Sequence, residues 1–179
     1  MIFCKTGELT IRSLELSDKQ FLVKWLSDIH VLEYYGGRDN PYDENMVEKK
    51  FYTSSNKTRC IIEYSNDPIG YIQFYHISKE EYEEYGYTGI HKIIYGTDQF
   101  IGETKYWGQG IGTMVMKEMV NFLITEMDTQ KIVLDPQDRN KRAISCYEKS
   151  GFKKVKILPK HELHEGNLQD CWLMEYNVL

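Results

Sequence analysis

The spacing of apolar positions along the chain changes period several times, and each change marks an element. Glu8-Leu9-Thr10-Ile11-Arg12 alternates polar and apolar residues, predicting a short strand with one buried face. Leu22, Trp25, Leu26 and Ile29 then recur at i, i+3, i+4 and i+7, the stripe of a helix laid on a sheet. Ser17-Asp18-Lys19-Gln20 ahead of them has the form of a capping box, with Ser17 as N-cap and Gln20 at N3. The paired glycines of Tyr34-Tyr35-Gly36-Gly37 should end that helix, because they tolerate positive φ. A second, more polar helix is expected from about Asp43 to Tyr52.

Cys60 to Tyr64 and Ile69 to Tyr75 are β-rich runs around the turn cluster Ser65-Asn66-Asp67-Pro68, which predicts a hairpin. Lys79 to Tyr87, rich in Glu and Tyr without a clean period, reads as a loop or irregular helix. Ile93 to Ile101 predicts a strand with a bulge near Gly96. A helix should follow from about Gly110 to Glu126, then a short buried strand Lys131 to Asp135 closed by Pro136, then a helix from Asn140 to Ser150 stopped by Gly151. Phe152 to Leu158 and Cys171 to Asn177 are expected to be the last strands, joined by a polar connection. This order implies an α+β fold: a mixed, mostly antiparallel sheet flanked by helices, with an embedded β-α-β unit.

A length of 179 residues suits one domain, residues 1–179. No apolar run is long enough to cross a bilayer, and the N-terminus lacks the pattern of an export signal, so no membrane partner and a cytoplasmic location are expected. The four cysteines lie far apart with no CxxC pair, and the five histidines form no metal or triad set, so no metal is expected. A net charge of −5 disfavours nucleic acid and suits a cationic or small-molecule partner. A monomer or weak homodimer fits this picture.

Strand, then Trp107-Gly108-Gln109-Gly110-Ile111-Gly112-Thr113, then helix, is an arrangement that points several main-chain N–H groups outward. With the helix dipole behind them they make a nest for phosphate oxygens. Taken alone the glycine spacing is a weak signal. The block Asn140-Lys141-Arg142-Ala143-Ile144-Ser145-Cys146-Tyr147-Glu148-Lys149-Ser150-Gly151-Phe152, about 30 residues later, makes it strong. Together the two blocks resemble the acyl-coenzyme A signature of the GCN5-related N-acetyltransferase (GNAT) superfamily. The resemblance departs at Trp107, where many members carry Arg or Gln.

That resemblance implies a GNAT fold and acetyl-CoA as cosubstrate. The pyrophosphate would rest on Gly108, Gln109, Gly110, Ile111, Gly112 and Thr113, the pantetheine arm on Asn140 and Ala143, and Tyr147 would protonate or hydrogen-bond the leaving thiolate. Cys146 is expected to face elsewhere. Main-chain N–H groups near Phe100 or Ile101 would polarise the thioester carbonyl.

An amine of lysine type has a reference pKa of about 10.4, so acyl transfer at neutral pH requires that a proton be removed. A carboxylate suits this task, and further carboxylates would hold other ammonium groups, each pair worth ~4 kcal/mol at ~4 Å and an effective dielectric of ~20 before desolvation. Asp98 and Asp135 stand where such a cleft would form, at strand ends beside the cofactor turns. With Tyr34-Tyr35-Gly36-Gly37, Asp98-Gln99, Asp135-Pro136 and His161-Glu162-Leu163-His164-Glu165-Gly166, the chain resembles the aminoglycoside 6'-N-acetyltransferases, especially the acetyltransferase half of the bifunctional acetyltransferase-phosphotransferase resistance enzymes.

By this resemblance Asp98 would be the base and Asp135 a second substrate carboxylate. Tyr34, Tyr35, Gln73, Tyr75, Glu103 and Glu165 would line the acceptor cleft, with Glu162 and Asp170 as further ammonium contacts. The acceptor implied is a polycationic aminoglycoside attacked directly in a ternary complex. A protein N-terminus or a polyamine as acceptor, or an acyl-CoA-binding module without turnover, stays open at this point.

Overall fold

The computed structural model describes residues 1–178. Among them, eight strands form one sheet: β1 (Ile2–Thr6), β2 (Leu9–Ser13), β3 (Thr58–Tyr64), β4 (Asp67–His76), β5 (Ile94–Ile101), β6 (Lys131–Leu134), β7 (Lys153–His164) and β8 (Asn167–Asn177). Their spatial order is β1-β2-β3-β4-β5-β6-β8-β7. Every neighbouring pair is antiparallel except β5 and β6, which run parallel. The helices are α1 (Lys19–Trp25), α2 (Ile29–Leu32), α3 (Glu44–Phe51), α4 (Lys79–Tyr85), α5 (Ile111–Met127) and α6 (Lys141–Lys149). No helix among the described residues is long and apolar enough to cross a membrane.

Alternation on β3 divides the core. Ile62 and Cys60 point to the face covered by α5, where they join Val115, Met116, Met119 and Leu123. Ile61 points to the opposite face, beneath Leu22, Trp25 and Leu26 of α1 and Val47 and Phe51 of α3. A third cluster, with Tyr85, Tyr87, Ile94, Val133, Leu158 and Leu173, lies under α4.

Several local expectations are corrected. The capping box is formed by Glu15 and Asp18 rather than Ser17 and Gln20, because Arg12 fixes Asp18 with two guanidinium bonds of 2.7 and 2.9 Å. The first helix breaks after Trp25 and restarts at Ile29, which is left 61% exposed and off the apolar stripe. Lys79–Tyr85 is a regular helix, secured by the capping box Ser78/Glu81 and stopped by left-handed Gly86. The β4–β5 register runs through Gly96 without a bulge; the glycine instead admits the Tyr75 ring, which an added Cβ would meet at 2.8 Å. The last two strands are longer than expected and meet in a tight turn at Glu165-Gly166, so the polar connection is itself a hairpin. Strand β1 was not legible in the alternation.

Gly102, just past β5, lies against the Trp25 ring, and a Cβ there would come within 2.1 Å of Trp25 Cγ. Trp25 Nε1 also donates to Glu103 at 2.8 Å, which ties α1 to the end of β5. Gly102→Ala is therefore expected to destabilise the protein by roughly 1–3 kcal/mol, the usual cost of overpacking a filled site. Urea denaturation checks this; unchanged stability would contradict the packing described.

Candidate active site

Strands β5 and β6 pair only from Ile94/Lys131 to Gly96/Val133 and then diverge. Beyond that point β5 continues to Ile101 with one edge bonded to β4 and the other open. The bond from Gly102 N–H to the Ile69 carbonyl sets the alternation, so Phe100 and Asp98 aim their amides at β4 while Gln99 and Ile101 aim theirs into the gap. Of the two amides expected to polarise a carbonyl, Ile101 is thus oriented for it. Phe100 is not; its ring packs on Tyr35 and Tyr71 instead.

Two cavities occupy the opening. One, of about 300 Å³, is lined by Ile101, Trp107, Gly108, Gly110, Ile111, Gly112, Thr113, Arg142 and Ala143 among others. Gly108 and Gly110 have φ of +73° and +79°, and nothing lies within 4 Å of where their Cβ atoms would be, so the main chain itself forms the cavity wall. Gly110 caps α5 without a side-chain bond, leaving the first-turn amides of Ile111, Gly112 and Thr113 without helical acceptors. Trp107 donates to the Ile101 carbonyl at 2.8 Å and carries the Arg142 guanidinium 3.6 Å above its ring. This cavity offers amides, a helix N-terminus and a cation, the donor set that a pyrophosphate requires.

The second cavity, about 500 Å³, is lined by Tyr34, Tyr35, Tyr75, Asp98, Asp135, His161 and Glu162, with Lys50 on its wall. Tyr34, Tyr35, Gln99, Asn140 and Tyr147 line both cavities, so the two meet at these side chains. Asp98 projects from β5 near that junction. Its Oδ2 accepts a 2.6 Å bond from Gln73 Nε2, and Gln73 Oε1 accepts one of 2.7 Å from the Tyr71 hydroxyl. The relay fixes the Gln73 amide and the carboxylate plane, leaving Oδ1 outside the relay. Burial pushes the Asp98 carboxyl up to about 6, aided by the negative charge of Asp135 and opposed by the Gln73 bond. Burial also raises the Tyr147 phenol, which keeps it protonated and able to donate at neutral pH.

Other expected residues stand elsewhere. Gln73 lies behind Asp98 rather than on the cavity wall. Glu103 is taken by Lys24 and Trp25 on the α1 side. Both carboxylate oxygens of Glu165 accept from Arg38, from its guanidinium and from its main-chain N–H, which drives the Glu165 pKa down to about 2. Neither carboxylate lines the cavity. Asp170 accepts from Lys160 N–H inside the final hairpin. The Gln109 side chain turns back to the Lys105 carbonyl. Cys146 does border the smaller cavity, beside Thr113 Oγ1 at 3.6 Å, with its thiol pKa raised by burial.

His161, Arg142 and Lys50 were missed. Nothing in their local spacing announces them; the signals present were the place of Arg142 within the Asn140–Tyr147 block and that of His161 within the His161–Gly166 segment.

A family model described as acetyltransferase (GNAT) domain matches residues 15–159. The chain belongs to this family. Among curated proteins, it is 29% identical over 150 residues to the aminoglycoside N(6')-acetyltransferase type 1 of Klebsiella pneumoniae, covering 82% of this chain and 74% of that protein. It is 38% identical over 61 residues to a kanamycin resistance protein of Rhizobium radiobacter, covering 34% of this chain and 56% of the other. The crystal structure of aminoglycoside acetyltransferase AAC(6')-Ib with coenzyme A and kanamycin superposes with a TM-score of 0.77 at 25% identity, over 94% of each chain. In this GNAT chain the cofactor is acetyl-CoA, and the amide-lined cavity has the donors to hold it.

Gln73→Leu removes the bond that holds Asp98 down and leaves the carboxylate unoriented. With Asp98 as the base, the acid limb of kcat/KM is expected near pH 6 in the wild type, the carboxylate being lost as pH falls through that value, and at a higher pH in the variant, with a drop in kcat. A pH-rate series on both proteins is the check, and an unmoved limb would contradict the relay.

Proposed function

We propose that this protein transfers the acetyl group of acetyl-CoA to the 6'-amine of an aminoglycoside. The observation that carries the reading is the carboxylate wall of the larger cavity, Asp98, Asp135 and Glu162, opening onto the amide-lined cavity at Tyr147 and Asn140. Polycationic acceptors need such a wall, and the 6'-acetyltransferases and the kanamycin resistance protein among the relatives support the choice of acceptor.

Bound acetyl-CoA supplies an acyl thioester. The acceptor ammonium first loses one proton to solvent, which frees its lone pair; as the neutral nitrogen bonds to the carbonyl carbon and the C–S bond breaks, Asp98 accepts the second proton leaving that nitrogen, directly or through a water. The Ile101 amide, aimed into the gap, stabilises the negative charge gathering on the carbonyl oxygen. Tyr147 donates its phenolic proton toward the leaving sulfur. Asp135 and Glu162 bind the remaining ammonium groups, while Tyr34 and Tyr35 offer ring faces to a sugar.

Asp98→Asn keeps the shape and the Gln73 contact region but removes the base. A fall in kcat of roughly 10²–10⁴-fold is expected, with coenzyme A affinity unchanged by calorimetry. Mass spectrometry of kanamycin after incubation with acetyl-CoA should locate one acetyl group on the 6'-nitrogen. Turnover of spermidine or peptides alone would reject the acceptor, and an Asp98→Asn enzyme of wild-type rate would reject the base.

A further inference from the structure

A bulge in β7 carries a charge into the acceptor cavity. Leu158 faces Cys171 and Glu162 faces Gln169, so Pro159, Lys160 and His161 together stand opposite Asp170 alone. Lys160 adopts left-handed backbone, φ +51°, its N–H bonded to Asp170 Oδ1 at 2.8 Å. Bulges of this kind re-aim a side chain. Here His161 lies between two carboxylates: its Nε2 is 2.8 Å from Asp135 Oδ2, and its Nδ1 is 2.7 Å from Glu84 Oε1. Since carboxylates only accept, an imidazole bonded to both must carry protons on both nitrogens, which is the imidazolium form. In agreement, the two acidic partners raise its pKa to about 9.

Other charged or titratable groups around it come from three elements. Glu84 and Tyr85 belong to α4, with the Tyr85 hydroxyl 3.4 Å from Asp135 Oδ2; Glu162 neighbours it on β7; and Asp135 follows β6. His161 is 15% exposed at the side chain and lines the same cavity as Asp98. The cluster of Asp135, Glu84 and His161 thus carries a net charge of about −1 at neutral pH, where the carboxylates alone would carry about −2.

We propose that His161 is a built-in counter-cation that sets how many ammonium groups the acceptor cavity accepts. It occupies one face of Asp135 that a substrate cation would otherwise claim and cancels Glu84, leaving a single anionic valence at this corner. The inference rests on the acceptor reading given above. It makes His161 a specificity-determining residue that does not touch the reacting atoms.

The test compares kanamycin A with kanamycin B, which share a skeleton and differ by an amino group in place of one hydroxyl. Steady-state kcat/KM at pH 7 and low salt is measured for the wild type, His161→Gln, His161→Arg and Glu84→Gln. His161→Gln should raise the kanamycin B to kanamycin A ratio by roughly fivefold, as expected for one uncompensated charge in a partly solvated cleft, and should shift the acid limb of kcat/KM upward. His161→Arg, retaining the charge, should keep the wild-type ratio. Glu84→Gln removes a negative charge, so the ratio should fall, and this opposite sign holds even if His161→Gln folds poorly. A uniform loss of activity with an unchanged ratio in both neutralising variants would overturn the proposal. Failure of the wild type to turn over either kanamycin would instead overturn the acceptor reading beneath it.

Discussion

The parting of β5 from β6 after Gly96 and Val133 is the constraint from which the rest of the site follows. A parallel pair held for only three residues leaves one edge of β5 unbonded inside the molecule, and main-chain amides on that edge need partners. Gln99 and Ile101 supply those amides. The same divergence separates Asp98, within β5, from Asp135, just past the end of β6, and α5 and α6 close over the other side of the gap. A donor cavity built from main chain and an acceptor cavity built from side chains therefore meet at one opening in the sheet.

Electrostatics then divides the labour between the two carboxylates. Asp98 is held by a neutral amide and partly withdrawn from water, which lifts its proton affinity toward the range useful to a base. Asp135 has an imidazolium partner on one oxygen and stays suited to binding. Similar residue types are thus set to different tasks by their neighbours, with Gln73 and His161 as the neighbours that decide.

The cofactor half was legible in the sequence because its parts are local: a glycine turn leading into a helix, and an Asn-to-Tyr block on the next helix, each fixed by short-range geometry. The acceptor half was legible for Asp135, which does follow the end of β6, whereas Asp98, expected at a strand end, stands inside β5 opposite Gln73. Glu103 and Glu165 read as cleft carboxylates because sequence gives no hint that Trp25 with Lys24, and Arg38, would engage them across 78, 79 and 127 residues. His161 was dismissed for the converse reason. Its role depends on a β7 bulge and on partners from α4 and the end of β6, a meeting created by tertiary structure alone. Likewise Lys79–Tyr85 lacked an apolar period but had a capping box and a terminal glycine, and those end signals outweighed the missing stripe.

The claim that donor and acceptor meet at Asp98 is tested most directly by a crystal structure of the protein with coenzyme A and kanamycin bound together. The 6'-nitrogen should lie within hydrogen-bond reach of Asp98 Oδ1, about 2.6–3.2 Å or one water away, with the sulfur beside Tyr147 and the pyrophosphate on the Gly108–Thr113 amides. A kanamycin seated with its amines on Glu103 or Glu165, or a sulfur directed away from the opening between β5 and β6, would contradict the account.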